Sequence, residues 1–328
     1  MTMQKPTSLT CEETALLCAR VIDEVEKAVV GKRAVLGLMM AAFLSSGGHI
    51  LIEDYPGLAK TLIANSFAAA LGMSFKRIQF TPDLLPGDIT GGYVFNSSQN
   101  QFVLRTGPIF THVLLADEIN RASPKTQSAL LEAMQEGHVT LEGETQKLPQ
   151  PFIVIATQNP IEYEGTFPLP EAQLDRFIVR LSVGYPEPEE EDQILKLRAE
   201  RRRDEVQLQA VVTPEIFLAM RAAVEDVYMD PDVRRYIVDL VAETRSHRQI
   251  VVGASPRASL AFLKLSRAWA AIQGRRYVTP DDIKPFVRPV LAHRVVLDPT
   301  LWDVRTSDAT MIEEVARLVP VPVLPDEK

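Results

Sequence analysis

The chain has 328 residues, 46% of them hydrophobic and 24% charged, which is enough to bury one sizeable core and a second, smaller one. A formal charge of -8 argues against a surface devoted to neutralising the phosphates of DNA or RNA, although a local basic pore stays open. No apolar run approaches the roughly 20 residues that span a bilayer, and the opening MTMQKPTSLTCEET lacks a basic region followed by an apolar core, so a cytoplasmic location is expected.

In chain order, the two cysteines come first. Cys11 and Cys18 are spaced to share one helix face too far apart to bridge, and read as reduced, half-buried thiols. From there to about residue 185, short β-branched runs alternate with helical stretches, the pattern of a parallel sheet flanked by helices. Five core strands are expected at 49–52, 75–80, 113–116, 152–157 and 177–183, most of them apolar, as strands covered on both faces are. Two stretches read as insertions. The first, 81–107, is rich in Gly, Pro and Asn and has room for a hairpin across Asn96 to Asn100; the second is 137–147. At 184–192 the string GYPEPEEED joins two prolines to an acidic run and opens a helix, which sets a boundary between 1–185 and 186–328. Beyond it, amphipathic helices are expected at 193–203, 214–227, 232–248, 256–271 and 280–292, making a smaller all-α lid with a C-terminal tail.

The strand HILIE leads into Asp54, Tyr55, Pro56, Gly57, Leu58, Ala59, Lys60, Thr61 and Leu62, after which the chain is strongly helix-forming. Strand, loop and helix in that order aim successive backbone N–H groups at one spot, and the new helix adds the positive end of its dipole. Phosphate oxygens suit such a place. Lys60 then reaches the β and γ phosphates and the Thr61 hydroxyl ligates Mg²⁺. The string has Asp54 and Ala59 where the general phosphate loop has glycines, and an ordinary strand-to-helix turn with a snorkelling lysine is the competing reading.

Residues 113–116 form an apolar strand that ends in Asp117 and Glu118, at the edge where ligands of open α/β folds bind. Asp117 is the candidate for Mg²⁺, and Glu118 for orienting and deprotonating the attacking water. An acidic pair in this place also serves as the start of a helix, complementing its dipole. The strand FIVIAT ends in Gln158, Asn159 and Pro160, and Asn159 is the candidate for holding that water; an Asn before Pro also simply forms a turn.

Arg176, in LPEAQLDRF, begins the fifth strand, where it could reach a neighbouring subunit's nucleotide and stabilise transition-state charge, or else form a surface ion pair with Asp175 or a nearby carboxylate. In GASPRA, Ser255 caps a helix, Pro256 takes its first position and Arg257 opposes the dipole in the first turn. A γ-phosphate across the cleft would give Arg257 a partner, a solvated arginine being the alternative. Arg121 is a further arginine placed to read a neighbour.

Together, EDYPGLAKT, LLADEINRA, ATQNP, LPEAQLDRF and GASPRA resemble the phosphate loop, acidic box, first sensor, arginine finger and second sensor of the MoxR family, AAA+ ATPases with an insert in the second helix. The long strings RASPKTQSALLEAMQEGHVTL and NPIEYEGTFPLPEAQLDRF make the resemblance specific, and it runs from about Val30 to Pro289. The resemblance implies an α/β fold, a P-loop NTPase αβα sandwich on a five-stranded parallel sheet followed by the lid. It also implies ATP and Mg²⁺ as ligands, with Val30 and Gly31 beside the adenine and catalysis by Lys60, Glu118, Asn159 and, from a neighbour, Arg176. Relatives form hexameric rings and act as chaperone-like remodelling motors on protein clients, often with a partner carrying a von Willebrand factor A domain. A nucleotide-gated binding module without turnover and a small-molecule kinase on the same loop are the alternatives. No Asn-Lys-x-Asp string reads guanine, and the five histidines show no metal-ligand spacing.

Overall fold

The computed structural model describes residues 9–160, 165–298 and 308–323. Two helices come first, α1 (Cys11–Glu26) and α2 (Arg33–Leu44). Thr10 starts α1 with a reciprocal cap, its hydroxyl accepting from the Glu13 N–H while the Glu13 carboxylate accepts from the Thr10 N–H. Then follow β1 (Ile50–Glu53), α3 (Lys60–Ala70), β2 (Phe75–Gln79), α4 (Pro86–Thr90) and the hairpin β3 (Gly91–Asn96) and β4 (Gln101–Thr106). Next come β5 (Val113–Asp117), α5 (Pro124–Glu136), the hairpin β6 (His138–Leu141) and β7 (Glu144–Lys147), β8 (Ile153–Gln158), α6 (Glu171–Leu174) and β9 (Val179–Leu181). The remainder is α7 (Pro188–Arg201), α8 (Pro214–Glu225), α9 (Pro231–Ser246), β10 (Ile250–Val252), α10 (Pro256–Ile272), α11 (Val287–Leu291), β11 (Val296–Leu297) and α12 (Asp308–Leu318).

The five expected strands form one parallel sheet in the order β2-β5-β8-β1-β9. Alternation along the strands explains why both faces are apolar. Ile50, Ile52, Val113, Leu115, Ile153 and Ile155 join a cluster with α1, α2, α3 and, continuously, the helices from α8 to α11. Leu51, Leu114, Ala116, Val154 and Ala156 face the other way, onto Leu130 and Leu131 of α5. The register sets Glu53 beside Gln158 and Gln79 beside Asp117, so the carboxyl ends of four neighbouring strands open on one edge.

Several details differ from the sequence expectations. The stretch 280–292 is broken into two short 3-10 turns and α11, because Pro285 has no N–H to donate; Pro289 is accommodated in the first turn of α11, where its missing N–H costs nothing. The lid is not purely helical: β10 and β11 form a small antiparallel ribbon, with Ile250 opposite Leu297. α7 begins at Pro188, earlier than expected, with Pro at its first position and Glu189, Glu190 and Glu191 in the first turn complementing the dipole. The hairpin expected across 96–100 is present, and 137–147 holds a second, closed by Glu142 and Gly143, both at positive φ. Cys11 and Cys18 are free and fully buried rather than half-buried. Among the described residues no helix is long and apolar enough to cross a membrane.

Candidate functional site

β1 delivers the chain into a loop whose start is fixed from the side. Asp54, 5% exposed, accepts from Ser182 Oγ at 2.7 Å and from the Val183 N–H, so the glycine replaced by Asp54 has become an anchor to the end of β9. Gly57 stands at φ +84, with open space where a side chain would project. Ala59 holds the left-handed conformation at φ 51 that a glycine adopts freely, and hands over directly to α3. The loop geometry survives both substitutions. The unpaired amides at the start of α3 therefore face the loop's concavity.

Lys60 Nζ donates to the carbonyls of Asp54 at 2.7 Å and Tyr55 at 2.9 Å, arching over the loop it follows. Burial pushes its pKa down, against the opposing pull of Asp54, Asp117 and Glu118. A cavity of about 460 Å³ opens over the sheet edge, lined by Pro56, Gly57, Leu58, Ala59, Lys60, Thr61 and Leu62 from the loop and α3, Asp117 and Glu118 from β5, and Gln158 and Asn159 from β8. Arg77, Gln79 and Thr157 complete the wall. Of the eight residues of the loop and helix start that the sequence assigns to the site, seven line this cavity and Tyr55 lines another; the carboxylates and Asn159 arrive from two further strands.

The carboxylates are held by residues that periodicity did not single out. Thr157 Oγ1 donates to Asp117 Oδ1 at 2.6 Å and accepts from the Glu118 N–H at 2.8 Å. Arg77 binds Asp117 Oδ2 through Nη2 at 2.6 Å and Nε at 3.1 Å. Gln79 Nε2 donates to Glu118 Oε2 at 2.6 Å, and Arg121 Nη1 lies 3.2 Å from the same oxygen. Glu118 itself sits at φ 55, a left-handed backbone that aims it away from the strand. The signal available in the sequence was the pair of polar residues at 77 and 79 on one face of a strand heading for the ligand edge. Arg121 is thus brought onto Glu118 of its own chain.

The two other arginines lie elsewhere. Arg176 and Arg257 line a separate cavity of about 260 Å³ with Lys264 and Asp175, sharing no lining residue with the one above the loop. Arg257 therefore does not face the phosphate loop of its own chain, as a sensor across the intramolecular cleft would; it stands half-exposed with Nε 4.0 Å from Asp175. The pairing of Asp175 with Arg176 is absent too. Asp175 is taken by Arg294 Nε at 2.7 Å and Ser255 Oγ at 2.9 Å, and Arg176 has no carboxylate partner among the described residues.

Val30 and Gly31 line neither cavity. Gly31, at φ +73, lies against the Glu190 carboxylate, which a Cβ there would meet, and Lys32 donates to the Tyr185 carbonyl at 2.8 Å. The Tyr185 ring in turn lies 6.2 Å from that of Tyr55. On that side of the loop a third cavity of about 370 Å³ is lined by Val35, Leu38, Tyr55, Leu181, Arg288 and Pro289 among others.

Comparison with known proteins shows the family of the chain. The family described as ATPases associated with various cellular activities matches residues 49–179, and its AAA lid domain matches 242–315. The chain is 45% identical to the uncharacterised protein YeaC of Bacillus subtilis, over 95% of this chain and 97% of that one. It is 41% identical to the chaperone MoxR1 of Mycobacterium tuberculosis, over 92% and 82%. A solved structure from Cytophaga hutchinsonii, described only as a candidate ATPase, superposes with a TM-score of 0.87 at 38% identity, covering 95% of this chain and 98% of the other.

Proposed function

Because the chain belongs to the MoxR family of AAA+ ATPases, we propose that the cavity at the head of β1 binds ATP with Mg²⁺ and hydrolyses it to ADP and phosphate, in a ring of copies that remodels protein partners. The observation that carries this reading is convergence: Lys60, Thr61, Asp117, Glu118 and Asn159, from three separate strand ends, line one cavity.

The loop amides and the α3 N-terminus hold phosphate oxygens, and Lys60 swings from its own carbonyls to the β and γ phosphates. The donor set fits a hard cation: the Thr61 hydroxyl and the Asp117 carboxylate share the cavity, and because both Asp117 oxygens already accept hydrogen bonds, Asp117 suits holding the ion's water ligands. Bound there, Mg²⁺ neutralises charge on the phosphates. Asn159 positions the attacking water and Glu118 takes its proton; Gln79 and Arg121 both engage the Glu118 carboxylate at Oε2, so Oε1 is the oxygen assigned to the water. The purine and ribose lie in the cavity across the loop, on an apolar floor of Val35, Leu38 and Leu181 beside Tyr55, and the segment of Val30 and Gly31 is tied toward it through Lys32, which bonds the Tyr185 carbonyl.

Arg176 and Arg257, together on a face away from their own phosphate loop, serve the nucleotide of a neighbouring copy. The family resemblance supports a hexameric ring and a partner with a von Willebrand factor A domain as parts of this proposal, and a cytoplasmic setting rests on the sequence expectation alone. The test is a mixture of two dead variants, Arg176→Ala and Lys60→Ala. A shared site predicts that mixed rings recover part of the phosphate release, since some interfaces pair an intact loop with an intact arginine; no recovery at ring-forming concentrations contradicts it.

A further inference from the structure

The two hairpins meet away from the nucleotide cavity. Tyr93 of β3 donates its hydroxyl to Glu144 of β7, and between the ribbons opens a cleft of about 460 Å³ lined by Tyr93, Phe102, Glu142 and Glu144. Pairing of Tyr93 with Leu104 and of Phe95 with Phe102 puts these four side chains on one ribbon face. Phe102 is 69% and Phe95 51% exposed, their rings edge to face at 5.4 Å. Among the described residues β3 and β4 pair with each other alone, so the ribbon also presents two free backbone edges.

Charge at the cleft is one-sided. Glu142 projects from the β6–β7 turn, and Glu144 accepts from two neutral donors, the Tyr93 hydroxyl and the Gln146 amide. The cations of the two hairpins lie off the cleft: Arg105 pairs with Gly92, on the opposite ribbon face from Tyr93, and Lys147 pairs with His138 at the far end of its hairpin. Two carboxylates beside aromatic faces repel phosphate and attract a cation on an aliphatic stem, whose methylenes lie along the rings while the charge reaches the oxygens. Exposed aromatic side chains in a row cover well against apolar neighbours of that cation, and a free strand edge accepts an extended backbone.

We propose that this cleft docks an extended polypeptide segment that presents a lysine or arginine side chain between apolar residues. The inference stands on the two hairpins and does not need the nucleotide reading. The cation enters between Tyr93 and Phe102 and is held by Glu142 and Glu144, while its neighbours lie on Phe95 and Phe102.

Fluorescence anisotropy with the full chain tests it, using a short labelled peptide of leucine, glycine and lysine and its counterpart with glutamate for lysine. The lysine peptide binds and the glutamate peptide does not at the same concentrations. The double variant Glu142→Gln, Glu144→Gln and the single variant Phe102→Ser each weaken binding by about tenfold. All changed side chains are exposed, so circular dichroism and peptide-free phosphate release stay as in the parent, which separates loss of this site from loss of ATP turnover. Equal binding of the two peptides, absence of binding by either, or unchanged affinity in both variants overturns the proposal.

Discussion

Gln79 Nε2 donates to Glu118 Oε2 at 2.6 Å, from the end of β2 onto the residue that follows β5, and Arg121 approaches the same oxygen. The amide and the guanidinium hold the carboxylate where it stands, and part of that hold must be released before it can turn onto an attacking water. Gln79→Ala is expected to raise basal phosphate release by about fivefold, the scale of one hydrogen bond to a charged group partly recovered in the barrier. A fall in rate would mean that Gln79 instead holds Glu118 in its working position.

Thr157 carries two bonds on one hydroxyl, to Asp117 and from the Glu118 N–H, both in the interior of the site. Thr157→Val keeps shape and burial but leaves that N–H unpaired. Thermal unfolding should show a loss of about 1–3 kcal/mol. Turnover should drop about tenfold with the KM for ATP little changed, because the carboxylates lose orientation while the phosphate loop is untouched. A change confined to KM would assign Thr157 to nucleotide binding.

The Asp54 anchor makes a contrasting expectation. Asp54→Ala strands the Val183 N–H and frees the loop, so stability falls by about 1–3 kcal/mol and ATP binding weakens. Asp54→Asn, able to accept from the same N–H, retains most of both. Equal losses in the two variants would show that the carboxylate charge, rather than the bonds, matters.

His49 is buried between β1 and β8, its Nδ1 accepting from the Val154 N–H and its Nε2 bonded to the Met134 carbonyl, and burial lowers its pKa to about 4. The folded chain thus keeps the ring neutral where the unfolded chain, with an ordinary value near 6.5, binds a proton. Stability from this group is present above pH 6.5 and is lost as pH falls toward 4, by roughly 3 kcal/mol across that window. His293, also buried and lowered by desolvation, adds in the same direction. Chemical denaturation at stepped pH should show the loss, reduced in His49→Gln; an equal slope in that variant would remove His49 from the account.

The sheet was legible because doubly covered strands are apolar runs bounded by turn residues, so β1, β5 and β8 lie within a residue or two of expectation. The strand, loop and helix of 50–70 were legible because their pattern is local in sequence. Arg77, Gln79 and Thr157 were not, because their roles come from parallel register: Gln79 lies beside Asp117, and the pairing of Ala156 with Ala116 brings Thr157 to Asp117. Arg257 was read correctly as opposing its helix dipole, but periodicity does not say which way the lid turns, and the structure sets it beside Arg176. The β6–β7 hairpin hid in a stretch whose turn, Glu142 and Gly143, is a weak signal without flanking apolar strands.

In the proposed function hydrolysis turns on Glu118, and Glu118→Gln is nearly isosteric, still able to meet Gln79 and Arg121 through its amide oxygen. Two quantities measured on the same preparation decide the matter: equilibrium binding of labelled ATP with Mg²⁺, and steady-state phosphate release. The account predicts binding within about twofold of the parent and release reduced by at least about a hundredfold, the usual share of a general base. Phosphate release at the parental rate in Glu118→Gln would contradict it.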